Sequence, residues 1–116
     1  MRYTLKMQGM IVGRSRLERR DEAERRASGD FQAGGAWELV EPVFDLASAA
    51  AEAGRDSDRA RDLAERFRLA SEKLRFELEA PDGTTMTVRE VLVLRRRGTL
   101  ALQLRVDDDR FWTADG

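Results

Sequence analysis

Three consecutive arginines form the densest group of anion-binding side chains in the chain. Arg95, Arg96 and Arg97 precede Gly98, at the predicted turn between two strands. Guanidinium groups donate paired hydrogen bonds to carboxylates and phosphates, so a hairpin tip that carries three of them is a candidate binding site. Exposed hairpin tips are also commonly charged without binding anything. We therefore predict an anion site here, with a solvated turn as the alternative.

A second candidate lies just past the last predicted strand, where Arg110 is followed by Phe111 and Trp112. Arginine and tryptophan are enriched in protein interfaces. Aromatic side chains near the end of a sheet also serve to cover apolar surface. Phe111 and Trp112 are therefore predicted either to fold back over an open end of the sheet or to stand exposed, beside Arg110, as an anchor for another chain.

The acidic groups lack the spacing of a metal site. Asp107, Asp108 and Asp109 follow the last predicted strand, but a calcium or magnesium site needs oxygens from several positions that converge on one point. Asp56 and Asp58 lie next to a helix start, which is typical of capping. The run of three aspartates is therefore interpreted as a solvated turn and the other two as capping residues, and we expect neither a metal nor another cofactor.

The absence of histidine and cysteine removes many enzyme mechanisms. Histidine is the usual general base near neutral pH, and cysteine supplies thiol nucleophiles and ligands for soft metals. Paired carboxylates remain, at Glu38 with Glu41 and at Glu77 with Glu79. Their positions are typical of a helix start and of the exposed face of a strand. A carboxylate-dependent enzyme is therefore only the third interpretation.

The overall charge and hydropathy favour no membrane or nucleic-acid surface. The chain has 21 basic and 22 acidic residues and a formal net charge of −1, so no global field attracts it to phosphate. No stretch approaches the roughly 18 apolar residues of a membrane span. The first residues alternate too regularly for a signal-peptide core. The cytoplasm is the expected compartment, and no membrane partner is expected.

Hydrophobic periodicity predicts the elements that position these groups. Residues 3–12 alternate as a strand with one bend, and residues 40–51 have helical spacing. A second helix is predicted from a cap at Asp56 or Ser57 to about residue 71. Residues 74–106 alternate on either side of two turns, one at Pro81, Asp82 and Gly83 and one at residues 95–98, which predicts a three-stranded meander.

These elements predict an α+β fold in which an antiparallel sheet of about four strands, in β-α-α-β-β-β order, carries a two-helix hairpin on one face. Residues 91–94 are apolar on both faces, which predicts a central strand position. Residues 14–30 contain few apolar positions and are predicted to be a charged surface segment, either a short exposed helix or a mobile loop. One domain is expected over residues 1–116.

Three classes of function remain. The favoured one is a small, non-enzymatic protein-interaction module, such as an adaptor, an inhibitor or an immunity-like partner. It would form a homodimer or bind another protein through a sheet edge or its charged and aromatic periphery. The alternative is a nucleic-acid-binding domain that uses Arg95, Arg96 and Arg97 together with the N-terminal arginines. The carboxylate-dependent enzyme comes third.

Overall fold

A computed structural model describes residues 2–54 and 57–113, and within them it contains eight strands and three helices. The strands are β1 (Tyr3–Met7), β2 (Met10–Ser15), β3 (Arg19–Asp21), β4 (Arg26–Ala33), β5 (Phe76–Glu79), β6 (Thr85–Thr87), β7 (Arg89–Arg96) and β8 (Thr99–Arg105). The helices are α1 (Trp37–Glu52), α2 (Asp58–Glu72) and α3 (Asp109–Thr113).

The strands form one antiparallel sheet in the order β6-β5-β1-β2-β4-β8-β7, and β3 also pairs with β4. The predicted sheet of about four strands in β-α-α-β-β-β order is therefore wrong. Four strands precede α1, and the described chain contains twice the predicted number of strands. The fold is a mixed α/β arrangement in which a curled, half-barrel sheet accompanies three helices.

The connection between β6 and β7 requires the sheet to curl. These strands lie at opposite ends of the strand order, yet only Val88 separates them in the chain. One residue spans a few ångströms at most, so the two ends of the sheet must approach each other. The predicted three-stranded meander is therefore wrong: the β5–β6 and β7–β8 hairpins lie at opposite ends of the sheet.

The segment of residues 14–30 is β-structure and neither a helix nor a loop. It contains the end of β2, all of β3 and much of β4. Along β4 the buried residues are Ala27, Gly29 and Phe31, and they alternate with exposed or half-buried ones. Because alanine and glycine contribute little hydrophobic signal, this alternation was hidden in the sequence. Pairing with β8 on one side and with β2 and β3 on the other makes β4 a central strand.

Strand β7 lies at an end of the sheet, so the predicted central position of residues 91–94 is also wrong. The strand is shielded by α1 instead of by a neighbouring strand. The backbone N–H of Arg95 donates to Ser48 Oγ of α1 at 3.2 Å, and Val93 is only 1% exposed. Helix cover protects sheet edges in many proteins from pairing with other chains.

The core lies between the sheet and the helical hairpin. Helix α1 buries Trp37, Val40, Phe44 and Ala47, which recur at helical spacing. The centroid of the Phe44 ring lies 5.8 Å from the ring centroid of Phe67 in α2 and 5.9 Å from that of Phe76 in β5. Phe44 therefore joins both helices to the sheet.

Helix α2 begins at the predicted cap. Ser57 has an extended backbone, and its Oγ accepts a hydrogen bond from the backbone N–H of Ala60 at 3.0 Å. This satisfies one of the free N–H groups at the helix start. The other predicted cap, Asp56, lies outside the described residues. None of the described helices combines the length and apolar character needed to cross a lipid bilayer.

Candidate binding groove on the outer face of the sheet

The outer face of the sheet, which points away from α1, carries most of the polar strand residues. Paired residues on adjacent strands project from the same face. Arg14 pairs with Gln32 and Asp30 pairs with Ala101, so these side chains share the outer face. Phe31, which contacts Trp37 of α1, lies on the inner face.

A bulge interrupts the pairing of β2 and β3 with β4. Ser15 pairs with Phe31 and Arg19 pairs with Ser28, so the three residues between Ser15 and Arg19 face only two on β4. Within the bulge, Leu17 has a positive φ of 47° and a fully buried side chain. Its backbone N–H donates to Ser15 Oγ at 3.1 Å.

Gly29 allows the bulge to pack against β4. A β-carbon at this position would lie 2.8 Å from Ser15 Oγ and 3.0 Å from the Leu17 nitrogen. Both distances are shorter than normal van der Waals contacts, so a side chain at Gly29 would displace the bulge. The glycine therefore helps fix the position of the charged residues around Leu17.

A groove of about 720 Å³ opens beside the bulge. Its walls contain three guanidinium groups, two carboxylates, one amide and one hydroxyl, from Arg2, Arg14, Ser15, Arg16, Glu18, Asp30 and Gln32. Arg2 donates to the amide oxygen of Gln32 at 2.5 Å, which occupies one guanidinium. Within the described part of the chain, the side chains of Arg14, Arg16, Glu18 and Asp30 form no hydrogen bond or ion pair with one another or with other residues.

The predicted arginine run at the hairpin tip is divided by the fold. The Arg95 guanidinium lies 2.6 Å from Glu41 of α1, whereas Arg96 and Arg97 are exposed at the β7–β8 turn. Arg97 and Gly98 both have positive φ, at 50° and 81°, as a two-residue type I′ hairpin turn requires. Arg96 and Arg97 are therefore exposed at the tip and have no ion-pair partner among the residues that the structure describes.

In the predicted C-terminal group, Phe111 and Trp112 fold back onto the sheet, which is the first of their two alternatives. Phe111 is only 1% exposed, with its ring centroid 5.2 Å from that of Tyr3. The guanidinium carbon of Arg20 lies 4.4 Å from the Phe111 centroid. Trp112 is partly buried, and its Nε1 donates to the Val106 carbonyl at 2.7 Å. These contacts fix α3 against β1 and β3.

Arg110, the third member of that group, stays on the surface and pairs with Asp108 at 2.6 Å. Its guanidinium also donates to the carbonyl of Thr85 in β6 at 3.4 Å. Arg110 is therefore engaged with the short end strand of the sheet.

The three consecutive aspartates pair with three different arginines. Asp107 contacts Arg89 at 2.6 Å, Asp108 contacts Arg110, and Asp109 contacts Arg25 at 2.8 Å. Within residues 2–54 and 57–113, no three acidic side chains lie close enough together to hold a metal ion. The acidic run connects α3 to the sheet edge at β7 and to the turn between β3 and β4.

Two of these carboxyl groups have lowered pKa values. The hydrogen bond from Arg89 lowers the pKa of Asp107. The side-chain hydrogen bond from Arg110, with its backbone N–H, lowers the pKa of Asp108 to about 2. The folded state therefore favours the ionised form of both groups.

This lowering predicts a pH-dependent contribution to stability. We expect Asp108→Asn to be less stable than the native chain at neutral pH, and the difference to shrink as the pH falls from about 4 toward 2, because the native carboxylate is then protonated too. Thermal unfolding midpoints of both chains across this range measure the effect. A difference in midpoint that is independent of pH would contradict it.

The carboxylate pairs considered for catalysis are partly engaged in the fold. Glu41 accepts from Trp37 Nε1 at 3.2 Å in addition to pairing with Arg95. Glu79 pairs with Lys6 across β1 and β5 at 3.0 Å. Neither pair lies in the groove beside the bulge.

Sequence reasoning did not assemble this groove. It placed Arg14 and Arg16 in a mixed-charge segment and among the N-terminal arginines of the nucleic-acid alternative, and it did not name Arg2, Asp30 or Gln32 as candidate site residues. One signal was available: Arg14 and Arg16 alternate with the buried Ser15 and Leu17, as strand residues do. Comparison of the chain with protein-family models, with curated proteins and with solved structures finds no match.

Proposed function

We propose that this chain is a protein-interaction module that binds a segment of a partner protein in the groove, with partner carboxylates on Arg14 and Arg16. The proposal rests mainly on these two guanidinium groups, which line the groove without an acceptor in the described part of the chain. Charge-assisted, paired hydrogen bonds from arginine to carboxylate are among the strongest polar contacts in interfaces. An adaptor, an inhibitor or an immunity-like partner would all use such a surface.

Apolar surface next to the groove supports a protein partner. On the outer face, Leu92 and Leu94 of β7 and Ala101 of β8 are all half-buried. Ala101 lies beside Leu94 on one side and beside Asp30 of the groove on the other. A binding surface with an apolar part and a polar part is typical of protein interfaces.

The ends of the sheet are less suited to binding. Helix α1 covers β7, as the contact of Ser48 with the Arg95 N–H illustrates. Strand β6 has only three residues, and Arg110 occupies the carbonyl of Thr85. We therefore assign the interface to the outer face and not to a sheet edge.

The placement of aromatic rings favours a protein over a nucleic acid. Proteins that bind single strands stack bases on exposed aromatic side chains. In this chain Phe67 and Trp112 are half-buried, and the other aromatic residues are buried on the core side: Tyr3, Phe31, Trp37, Phe44, Phe76 and Phe111.

The test is a binding measurement with an acidic peptide. The probe is a fluorescent peptide of alternating glutamate and serine, and its anisotropy is followed on titration with the full chain. We expect the double variant Arg14→Gln/Arg16→Gln to bind the peptide about tenfold more weakly, from about 1.4 kcal/mol over two pairs. The control is Lys73→Gln/Arg75→Gln, which removes the same charge at exposed positions outside the groove.

Two results would contradict the proposal. Equal losses in both double variants would show that the peptide responds only to overall charge. Tighter binding of a single-stranded oligonucleotide than of the peptide, with a steep salt dependence, would support the nucleic-acid alternative instead.

A further inference from the structure

The groove contains uncompensated charges of both signs. Besides Arg2, whose guanidinium donates to the neutral amide of Gln32, Arg14 and Arg16 supply two positive charges, and Glu18 and Asp30 supply two negative ones. All four are without an ion-pair partner within the described ranges. Elsewhere many acidic side chains are paired, as Glu41, Glu79 and Asp107 illustrate.

A ligand of one charge sign satisfies only half of these groups. A polyanionic segment would bind the two guanidinium groups but would be repelled by the carboxylates of Glu18 and Asp30. Like charges brought together in an interface weaken binding and exclude unsuitable partners. A segment with acidic and basic residues would pair with all four groups.

From this arrangement we infer that the groove selects a mixed-charge peptide segment, with acidic residues on Arg14 and Arg16 and basic residues on Glu18 and Asp30. This inference rests on the proposed function and specifies its partner. In an extended segment, residues two positions apart project from the same side and lie about 7 Å apart. A peptide whose acidic and basic residues alternate two positions apart therefore presents both charges to the groove from one side.

Two peptides of equal length test the inference. One repeats Glu-Ser-Lys-Ser and the other repeats Glu-Ser-Glu-Ser, so they differ only in replacing every second glutamate with lysine. We expect the full chain to bind the mixed peptide about fivefold more tightly, as two additional exposed ion pairs and the loss of repulsion would give. In Glu18→Gln/Asp30→Asn this preference should reverse. The control variant Asp45→Asn/Glu52→Gln, with exposed sites on α1, should keep it.

The outcomes separate this inference from the proposed function. The polyanionic peptide could bind at least as tightly as the mixed one while binding still depends on Arg14 and Arg16. In that case the inferred preference for a mixed-charge segment is wrong, and the proposed binding groove is supported. If the control variant loses the preference as well, the selectivity comes from overall charge and the inference is wrong. If neither peptide binds, both proposals fail.

Discussion

Replacement of Phe44 by alanine is expected to lower the free energy of unfolding by about 3–5 kcal/mol. The Phe44 side chain is 1% exposed and stacks on Trp37 at 5.8 Å with nearly parallel rings. It also contacts Phe67 and Phe76. Because these rings belong to α1, α2 and β5, the cavity would open where the three elements meet. Urea denaturation followed by circular dichroism measures the loss.

The matched control for Phe44 is Leu39→Ala in the same helix. Leu39 is 62% exposed, so its truncation removes little buried surface and should change the free energy of unfolding by no more than about 0.5 kcal/mol. If both variants lost the same stability, α1 would not present Phe44 to the core as described.

The second large effect is expected at Gly13, in the middle of β2. Gly13→Ala should destabilise the fold by about 1–3 kcal/mol, the usual cost of adding atoms to a closely packed site. An added β-carbon would collide with the Phe31 ring and would lie 2.6 Å from the carbonyl oxygen of Gln32. Both neighbours belong to β4, so the substitution would push β2 and β4 apart.

Gly35→Ala provides the control for Gly13. A β-carbon at Gly35 would meet no atom within 4 Å, and the substitution also reduces the freedom of the unfolded chain. We expect its unfolding temperature to be equal to or above that of the native chain. If the unfolding temperature of Gly13→Ala were also equal to or above that of the native chain, the description of β2 as closely packed against β4 at this position would be wrong.

The Gly13 substitution also connects stability with the proposed binding site. Gly13 directly precedes Arg14, and Gln32 is the strand partner of Arg14. A displacement of β2 would therefore move the Arg14 guanidinium relative to Asp30 across the groove. If β2 stays displaced from β4 in the folded Gly13→Ala chain, this variant should bind the acidic peptide more weakly than the native chain does.

The elements with strong local patterns were predictable from the sequence. The helical spacing of Val40, Phe44 and Ala47 predicted α1, and Ser57 predicted the start of α2; both are confirmed. The turn at Asp82 and Gly83 also lies where it was predicted, between β5 and β6. In each case the signal comes from residues a few positions apart, whose side chains interact within one turn or one hairpin.

The pairing of the strands depended on distant contacts. Strand β4 pairs with β8, and Ala27 contacts Leu104 across 77 positions of sequence in this pairing. Small inner residues such as Gly29 gave β4 no hydrophobic periodicity, so its central place was not visible. The single residue between β6 and β7 resembled the continuation of one strand, although it connects the two ends of the curled sheet.

By itself, the sequence determined the two long helices, the hairpin turns and the lack of histidine and cysteine chemistry. Only the tertiary structure decided which charges remain free. Arg95, Asp107 and Asp109 acquired partners that are distant in sequence. Arg14, Arg16 and Asp30 line one groove and have no ion-pair partner among residues 2–54 and 57–113. The physical reason is that ion pairing acts over a few ångströms in space, and the strand order, not the spacing along the chain, sets those distances.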